Sequence, residues 1–244
     1  MSNFQLTYKP FGERSLLIEW PNKINENILN DVLGYKSAIE KYYIKQNIYI
    51  KSAYNSILIT YDYTIENIYN EISVLKELYF DMKMPLNKNF KVWHIPVCYD
   101  LNFGIDLEEI SKKNKLSIDQ IISLHSNQLY TVFFIGFLPG FLYLGGLNKQ
   151  LYVPRKSSPR QKIEKGSVAI GNQQTGVYPI DSPGGWNIIG NSPITFFNPN
   201  LKTPCFSNPG DKIRFIPIDL NEHIKICNSI NQGKYQLIYE EING

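Results

Sequence analysis

Residues 166–190, GSVAIGNQQTGVYPIDSPGGWNIIG, constrain this chain more than any other stretch. They mix Gln173, Gln174, Thr175, Tyr178, Asp181 and Ser182 with Gly171, Gly176, Pro179, Pro183, Gly184, Gly185 and Gly190. A regular core strand avoids Gly, which weakens it, and Pro, which removes a ladder donor. A disordered linker lacks the Val, Ile, Tyr and Trp present here. What remains is ordered backbone that turns sharply and presents polar groups at a surface, where binding and catalysis concentrate. GFLPGFLYLGGL at 136–147 is built the same way. The two segments are expected to lie together and line one anion-friendly hollow.

A chain of 244 residues, 43% hydrophobic and 19% charged, has the material for a packed core in one large or two small domains. Its 17 Tyr and 13 Phe favour β-structure and recognition surfaces. A net charge of +3, with no basic run among aromatics, argues against nucleic acid as a partner. Cys98, Cys205 and Cys227 are odd in number and form no CxxC pair, so neither a disulfide framework nor a metal site is expected. The N-terminal MSNFQLTYKPFGERSLL has no apolar signal region. The run at 131–147 is broken by Gly136, Pro139, Gly140, Gly145 and Gly146 and falls short of the ~18 residues that suggest a membrane helix. A soluble cytoplasmic protein with no membrane partner is the expectation.

Residues 4–8, 15–20, 47–52 and 56–61 read as strands. Ile28, Val32, Tyr35 and Ile39 mark one amphipathic helix, and Ile65, Ile68, Ile72 and Leu75 a second, with Thr64 as its N-cap. MKMPLNKN at 82–89 reads as a loop and KVWHIPVCY at 91–99 as a strand. The order ββαββαβ describes a small α+β module with helices on one face of a sheet, approximately ferredoxin-like. Beyond it, Asp106 is expected to cap a helix over LEEISKKN, and Ser117 with Gln120 forms a capping box for another. Strands are then expected at 129–135, 151–153, 167–170, 177–180, 187–189, 194–197 and 212–216. A helix over 219–230 and a final strand YQLIYEE follow. Short strands at this spacing suggest a barrel or sandwich. The domains expected are 1–89, small α+β, and 90–244, mainly β.

Gly171-x4-Gly176 resembles the start of a P-loop, but Val177 and Tyr178 stand where the Lys and Ser/Thr belong, which rules that motif out. Arg155 and Arg160 in a Pro-rich loop read as a clamp on carboxylate or phosphate, or as a solvated basic loop. His125, ending a short helix, reads as a general acid/base or as a capping histidine. Asp181-Ser182-Pro183-Gly184-Gly185 is a turn whose side chains bond its own backbone or face a pocket with Tyr178 and Trp186. Phe134, Phe137 and Phe141 read mainly as packing at a strand bend.

FIGFLPGFLYLGGL, YVPRKSSPRQKIEKGSVAI and QTGVYPIDSPGGWNIIGNSP together resemble the signature blocks of the PxpB/KipI family, the B subunits of 5-oxoprolinase. That family includes the sporulation-kinase inhibitor KipI and has been labelled allophanate hydrolase subunit 1. FGERSLLIEW and IPVCYDLNFGIDLEEISKKNKLSIDQIISLHS extend the resemblance over essentially the whole chain. The chain departs from the family at Asn172-Gln173, where glycines usually precede QTG. The resemblance implies an N-terminal small α+β domain followed in the chain by a cyclophilin-like β-barrel. It implies an ATP-dependent hydrolysis of 5-oxoproline to glutamate, performed with two partners, a KipA-like one (the C subunit) and a LamB/YcsF-type one (the A subunit). ATP, with Mg as its counter-ion, would be shared with a partner. On this reading His125, Tyr178 and Asp181 are catalytic candidates. Arg155, Arg160, Gln174, Ser182, Gly184, Gly185 and Trp186 are candidates for holding substrate or phosphate. Two alternatives accompany it: an inhibitor docking on a sensor histidine kinase, and a carboxyltransferase half-site.

Overall fold

A computed structural model describes residues 4–82 and 89–243. Most of the loop expected at 82–89, residues 83–88, lies outside the described residues. The chain divides into two compact units, residues 1–88 and 89–244.

In the first unit, strands β1 (Thr7–Pro10), β2 (Ser15–Glu19), β3 (Ile48–Ser52) and β4 (Ser56–Tyr61) form an antiparallel sheet in the order β1-β2-β4-β3. Alternate residues Leu16, Ile18, Ile57, Ile59 and Tyr61 are buried, as the two-residue period of a strand requires. Helices α1 (Glu26–Tyr42) and α2 (Ile68–Asp81) pack on them through Val32, Tyr35, Ile39 and Leu75. The Tyr35 hydroxyl donates to the Leu75 carbonyl at 2.6 Å. Helix α2 begins later than Thr64 suggests. Asn67 caps it, its side chain accepting from the N–H groups of Tyr69 and Asn70. The segment KVWHIPVCY is not the seventh element of this module: it belongs to strand β5 (Asn89–Cys98) of the second unit.

The second unit is a closed seven-stranded barrel. The elements after β5 are α3 (Leu107–Asn114), α4 (Ile118–Ser126), β6 (Leu129–Ile135), β7 (Leu142–Gly145), β8 (Arg160–Ile163), β9 (Ser167–Gly171), β10 (Gln174–Val177), β11 (Ser182–Gly184), β12 (Asn187–Asn191), β13 (Lys212–Ile218), α5 (Leu220–Asn231) and β14 (Tyr239–Asn243). The wall runs β12-β9-β10-β7-β6-β13-β5 and closes where β12 meets β5 at Asn191 and Cys98. Strand β14 takes the other part of that β5 edge. Val168, Ile170, Val177, Leu142, Leu144 and Phe215 fill the interior.

Several sequence expectations shift here. Residues 149–151 form a 3-10 turn, not a strand, and only Val153 makes an isolated bridge, to Asn172. The strand expected at 177–180 ends at Val177, and residues 194–197 are irregular. Strands β7, β8 and β11 carry no sequence signal because they are short and contain or adjoin Gly and Pro. The capping box of α4 is present, with both Ser117–Gln120 hydrogen bonds formed. Asp106 occupies the N-cap position of α3, but its side chain makes no capping bond and is committed elsewhere. Among the described residues no helix is long and apolar enough to cross a membrane.

Barrel closure depends on a close backbone approach at Gly190. A Cβ there would lie 2.7 Å from the Cys98 carbonyl oxygen and 2.9 Å from Val97 Cγ1, beside a register shift in the β12–β9 pairing. Gly190→Ala is therefore expected to destabilise the barrel by about 2 kcal/mol through overpacking. Urea unfolding monitored by circular dichroism measures this.

Candidate functional site

The two glycine-punctuated segments are neighbours. Strand β7 pairs with β10, placing Tyr143 opposite Gly176, and β10 pairs with β9 to form a hairpin. The Gly171-x4-Gly176 stretch is this hairpin. Its two-residue turn is Asn172-Gln173, with Asn172 in the left-handed region at φ 55°. Asn tolerates that region better than most residues, so the departure from glycine preserves the turn.

No open hollow lies between the segments. The outer face of this wall presents small residues such as Ala169 and Gly176, and the rings of Phe141, Tyr178 and Trp186 cover it. Phe141 meets Tyr178 edge-on at 5.2 Å and Trp186 edge-on at 5.6 Å, the perpendicular arrangement that ring quadrupoles favour. Strands β8 and β11, paired as a separate two-stranded sheet, contribute Ile163 to the same cluster. The hollow expected from the sequence is thus filled by side chains.

The sequence-derived residues fall into three places. Within the aromatic cover, Tyr178 is buried and accepts a hydrogen bond from the Trp186 backbone N–H, while burial raises its pKa. Gly184 lies directly against it, since a Cβ there would overlap the Tyr178 hydroxyl. The Gly185 carbonyl accepts from the Lys156 N–H at 2.7 Å. Exposed Arg155 sits over the Trp186 ring, 5.5 Å from its centroid, a cation–π distance. Ser182 Oγ and Gln174 Oε1 are shielded from solvent without a protein partner.

Asp181 stands apart from these groups at the surface. It accepts from the Lys165 N–H at 2.8 Å and pairs with Lys162 at 3.0 Å. These two contacts hold its carboxyl below the usual range. The geometry makes it a tether for the turn at 164–166.

His125 lies inside the barrel and is fully buried. Nδ1 bonds the Tyr99 hydroxyl at 2.8 Å, Nε2 bonds the Thr175 hydroxyl at 2.9 Å, and the ring stacks on Phe215 at 4.7 Å. Burial pulls its pKa down to about 3. Both nitrogens are occupied and the ring is sealed from solvent, so this geometry opposes the acid–base role read from its helix-end position.

Arg160 belongs to a cluster that sequence reasoning misses. Buried Asp106 accepts from Arg160 Nη2 at 2.7 Å, from Lys156 Nζ at 2.9 Å and from the Ile188 N–H at 2.7 Å. Burial alone would raise the Asp106 pKa, but Arg160, the Ile188 N–H and Lys156 outweigh it and hold the carboxyl below its ordinary value. Lys156 also pairs with Glu109 of α3. Arg160 Nη1 is buried and has no protein acceptor. Beside it opens a cavity of about 240 Å³ whose walls include Arg160, Lys162, Phe103, Ile163, Ile188 and Asn191. Asp106 carries a sequence signal, the start of LEEISKKN, but that signal points to a helix cap.

Chemically, the unit therefore offers an exposed guanidinium over an aromatic platform and a recessed cationic cavity. Two consequences are measurable. The folded pKa of His125 lies below the unfolded value of ~6.5, so proton uptake favours the unfolded chain. Its contribution is complete above pH ~6.5 and falls by about 1.4 kcal/mol per pH unit as pH drops towards about 3. In urea unfolding at stepped pH, His125→Gln is expected to flatten that slope. Asp106→Ala leaves two cations and one N–H without their acceptor and is expected to cost about 3 kcal/mol, with Asp106→Asn costing less.

Residues 6–207 match the family model described as carboxyltransferase domain, subdomain C and D. The chain is 36% identical over 224 residues to the B subunit of 5-oxoprolinase from Bacillus subtilis (strain 168), an alignment covering 87% of this chain and 92% of that protein. Among solved structures it resembles TTHA0988 at 30% identity and TM-score 0.73, over 84% of this chain, and spans only 40% of that longer chain. The K. lactis urea amidolyase shares the fold at TM-score 0.85 and 18% identity, over 99% of this chain and 16% of that one. With a family model over most of its length and a relative of this identity matched nearly end to end, the chain belongs to the PxpB/KipI family, the B subunits of 5-oxoprolinase.

Proposed function

We propose that this chain is the B subunit of a cytoplasmic ATP-dependent 5-oxoprolinase. It would hydrolyse 5-oxo-L-proline to L-glutamate together with its KipA-like and LamB/YcsF-type partners, and be inactive alone. The observation that carries the reading is the 36% identity to the Bacillus subtilis protein, across 92% of its length. On the same reading the second unit is a cyclophilin-like barrel, and residues 1–89 form a small ferredoxin-like domain.

The chemistry asks for cationic surfaces. A lactam amide is resonance-stabilised, so its carbonyl oxygen must be activated, here by phosphorylation from ATP, before water attacks. Groups that meet developing phosphate charge are guanidiniums and backbone N–H donors held in place beforehand. Arg155, poised over Trp186 and open to solvent, is our candidate for that contact. The cavity of about 240 Å³ lies below the ~300–1,000 Å³ typical of drug-sized ligands. A nucleotide with its Mg does not fit inside it, and on this reading is held jointly with a partner protein.

The test is 5-oxoproline-dependent ATP hydrolysis by the chain with and without its two partners. Turnover is expected only in the full mixture, and none there overturns the reading. Arg155→Ala is expected to lower that turnover by about a hundredfold with an unchanged melting temperature. A carboxyltransferase half-site is favoured by the family model's description. ATP hydrolysis that requires bicarbonate and biotin, and ignores 5-oxoproline, would establish it instead.

A further inference from the structure

We propose that Cys227 is a peroxide-reactive thiol, with His223 as the base that takes its proton and Asn191 as the residue that positions the imidazole. The three lie on helix α5 and strand β12, and nothing in the proposal depends on the function proposed above.

One backbone carbonyl fixes the arrangement. The Lys165 carbonyl oxygen can only accept, and it accepts from Asn191 Nδ2 at 2.9 Å. The Asn191 amide therefore turns its Oδ1 towards His223 Nε2, 3.0 Å away. An amide oxygen is an acceptor only, so Nε2 carries the proton. His223 is buried, and burial holds its pKa below the ordinary value. The ring is thus neutral and has a single proton, which leaves Nδ1 with a bare lone pair. Cys227 Sγ stands 3.8 Å from that nitrogen, so the S–H donates to it. The two residues are four apart on α5, the spacing that puts side chains on one helix face. Phe103 packs on the imidazole with ring centroids 4.7 Å apart and steadies its plane. A nucleophile, a base touching it and a third group that sets the tautomer of the base are the parts that activate a thiol.

The other two thiols have different surroundings. Burial raises the pKa of Cys98, and the charges of Asp100 and Asp219 add to it. Burial also raises that of Cys205, with Asp211 adding to it. Burial raises the Cys227 thiol as well, but its charged neighbour, Lys165, works in the opposite sense. At rest Cys227 is therefore a neutral thiol that needs a base at the moment of attack. As Sγ attacks one oxygen of hydrogen peroxide, its proton passes to His223 Nδ1. An S–O bond forms and the O–O bond breaks. Sulfur gives up two electrons to the peroxide, and the departing oxygen takes the proton back from Nδ1 and leaves as water. The product is a sulfenic acid, which a second thiol can reverse. Cys227 is half-buried, which leaves access for a reagent of this size, whereas Cys98 is closed off at 1% exposure.

The experiment treats the full chain with hydrogen peroxide, traps sulfenic acid with dimedone and reads the adduct at each cysteine by peptide mass spectrometry, in the folded chain and in urea. Burial alone slows a thiol, so a faster reaction in the folded chain reports activation. Cys227 is expected to react about tenfold faster folded than unfolded, and Cys98 and Cys205 more slowly folded than unfolded. His223→Gln is expected to lower the folded rate at Cys227 about a hundredfold. Lys165→Gln keeps the backbone carbonyl that holds Asn191 and is expected to cause a smaller loss with an unchanged melting temperature. Long-range proton–nitrogen correlation NMR on the wild type is expected to find the His223 proton on Nε2. That measurement needs no variant and decides the positioning role even if His223→Gln fails to fold. The proposal is overturned if Cys227 reacts no faster folded than unfolded, if folded His223→Gln reacts like the wild type, or if the imidazole proton is on Nδ1.

Discussion

The second unit depends on how one buried carboxylate is satisfied. An uncompensated charge in a low-dielectric interior costs several kcal/mol, so Asp106 must collect donors wherever the fold can bring them. It collects them from the backbone of β12, from Arg160 at the start of β8 and from Lys156 in the preceding loop. Those contacts pin the 156–163 segment to the barrel. The same contacts fix one side of the Arg160 guanidinium and leave the other facing no protein acceptor.

The Gly and Pro density that marks this chain has a packing origin. Where β12 reaches β5, Gly190 lets two backbones approach more closely than a Cβ would allow. On the outer wall, Ala169 and Gly176 leave room for Phe141, Trp186 and Tyr178 to lie against the strands. Each strand serves two layers, with Val168 and Ile170 facing inward and Ala169 outward. Sharp turns and small residues allow a short barrel to carry a second aromatic layer. That layer occupies the space that the sequence suggests as a hollow, and the cavity that does open is lined by Phe103, Arg160, Ile163 and Ile188.

His125 and Asp106 illustrate how legibility fails. His125 is visible as a helix-end residue, a position that favours an imidazolium. In the fold, Tyr99, Thr175 and Phe215 surround it, and burial outweighs any helix-end effect. Asp106 is visible as an N-cap, but a charge-assisted set of donors outcompetes a single capping bond. By contrast the capping box of Ser117 and Gln120 is legible, because both partners lie within one turn. Among the site residues, Arg155, Tyr178, Gly184 and Trp186 are brought together, whereas Asp181 and His125 are drawn away to a surface turn and to the barrel interior.

What the sequence by itself determined is therefore what short-range physics writes into a chain. Helix α1 and its buried face, the strands at 15–19 and 56–61, the capping box of Ser117 and Gln120, and the change from a helical to a short-strand rhythm after residue 126 are all consequences of local periodicity and turn chemistry. Family membership was legible for the same reason, since its signature blocks are contiguous. Only the tertiary structure decided which polar groups meet and which are sealed from water. Asp106 and Arg160 stand 54 residues apart and His125 and Thr175 stand 50 apart. No local pattern encodes an encounter at that separation, because burial and pairing belong to the closed barrel and not to any segment of it.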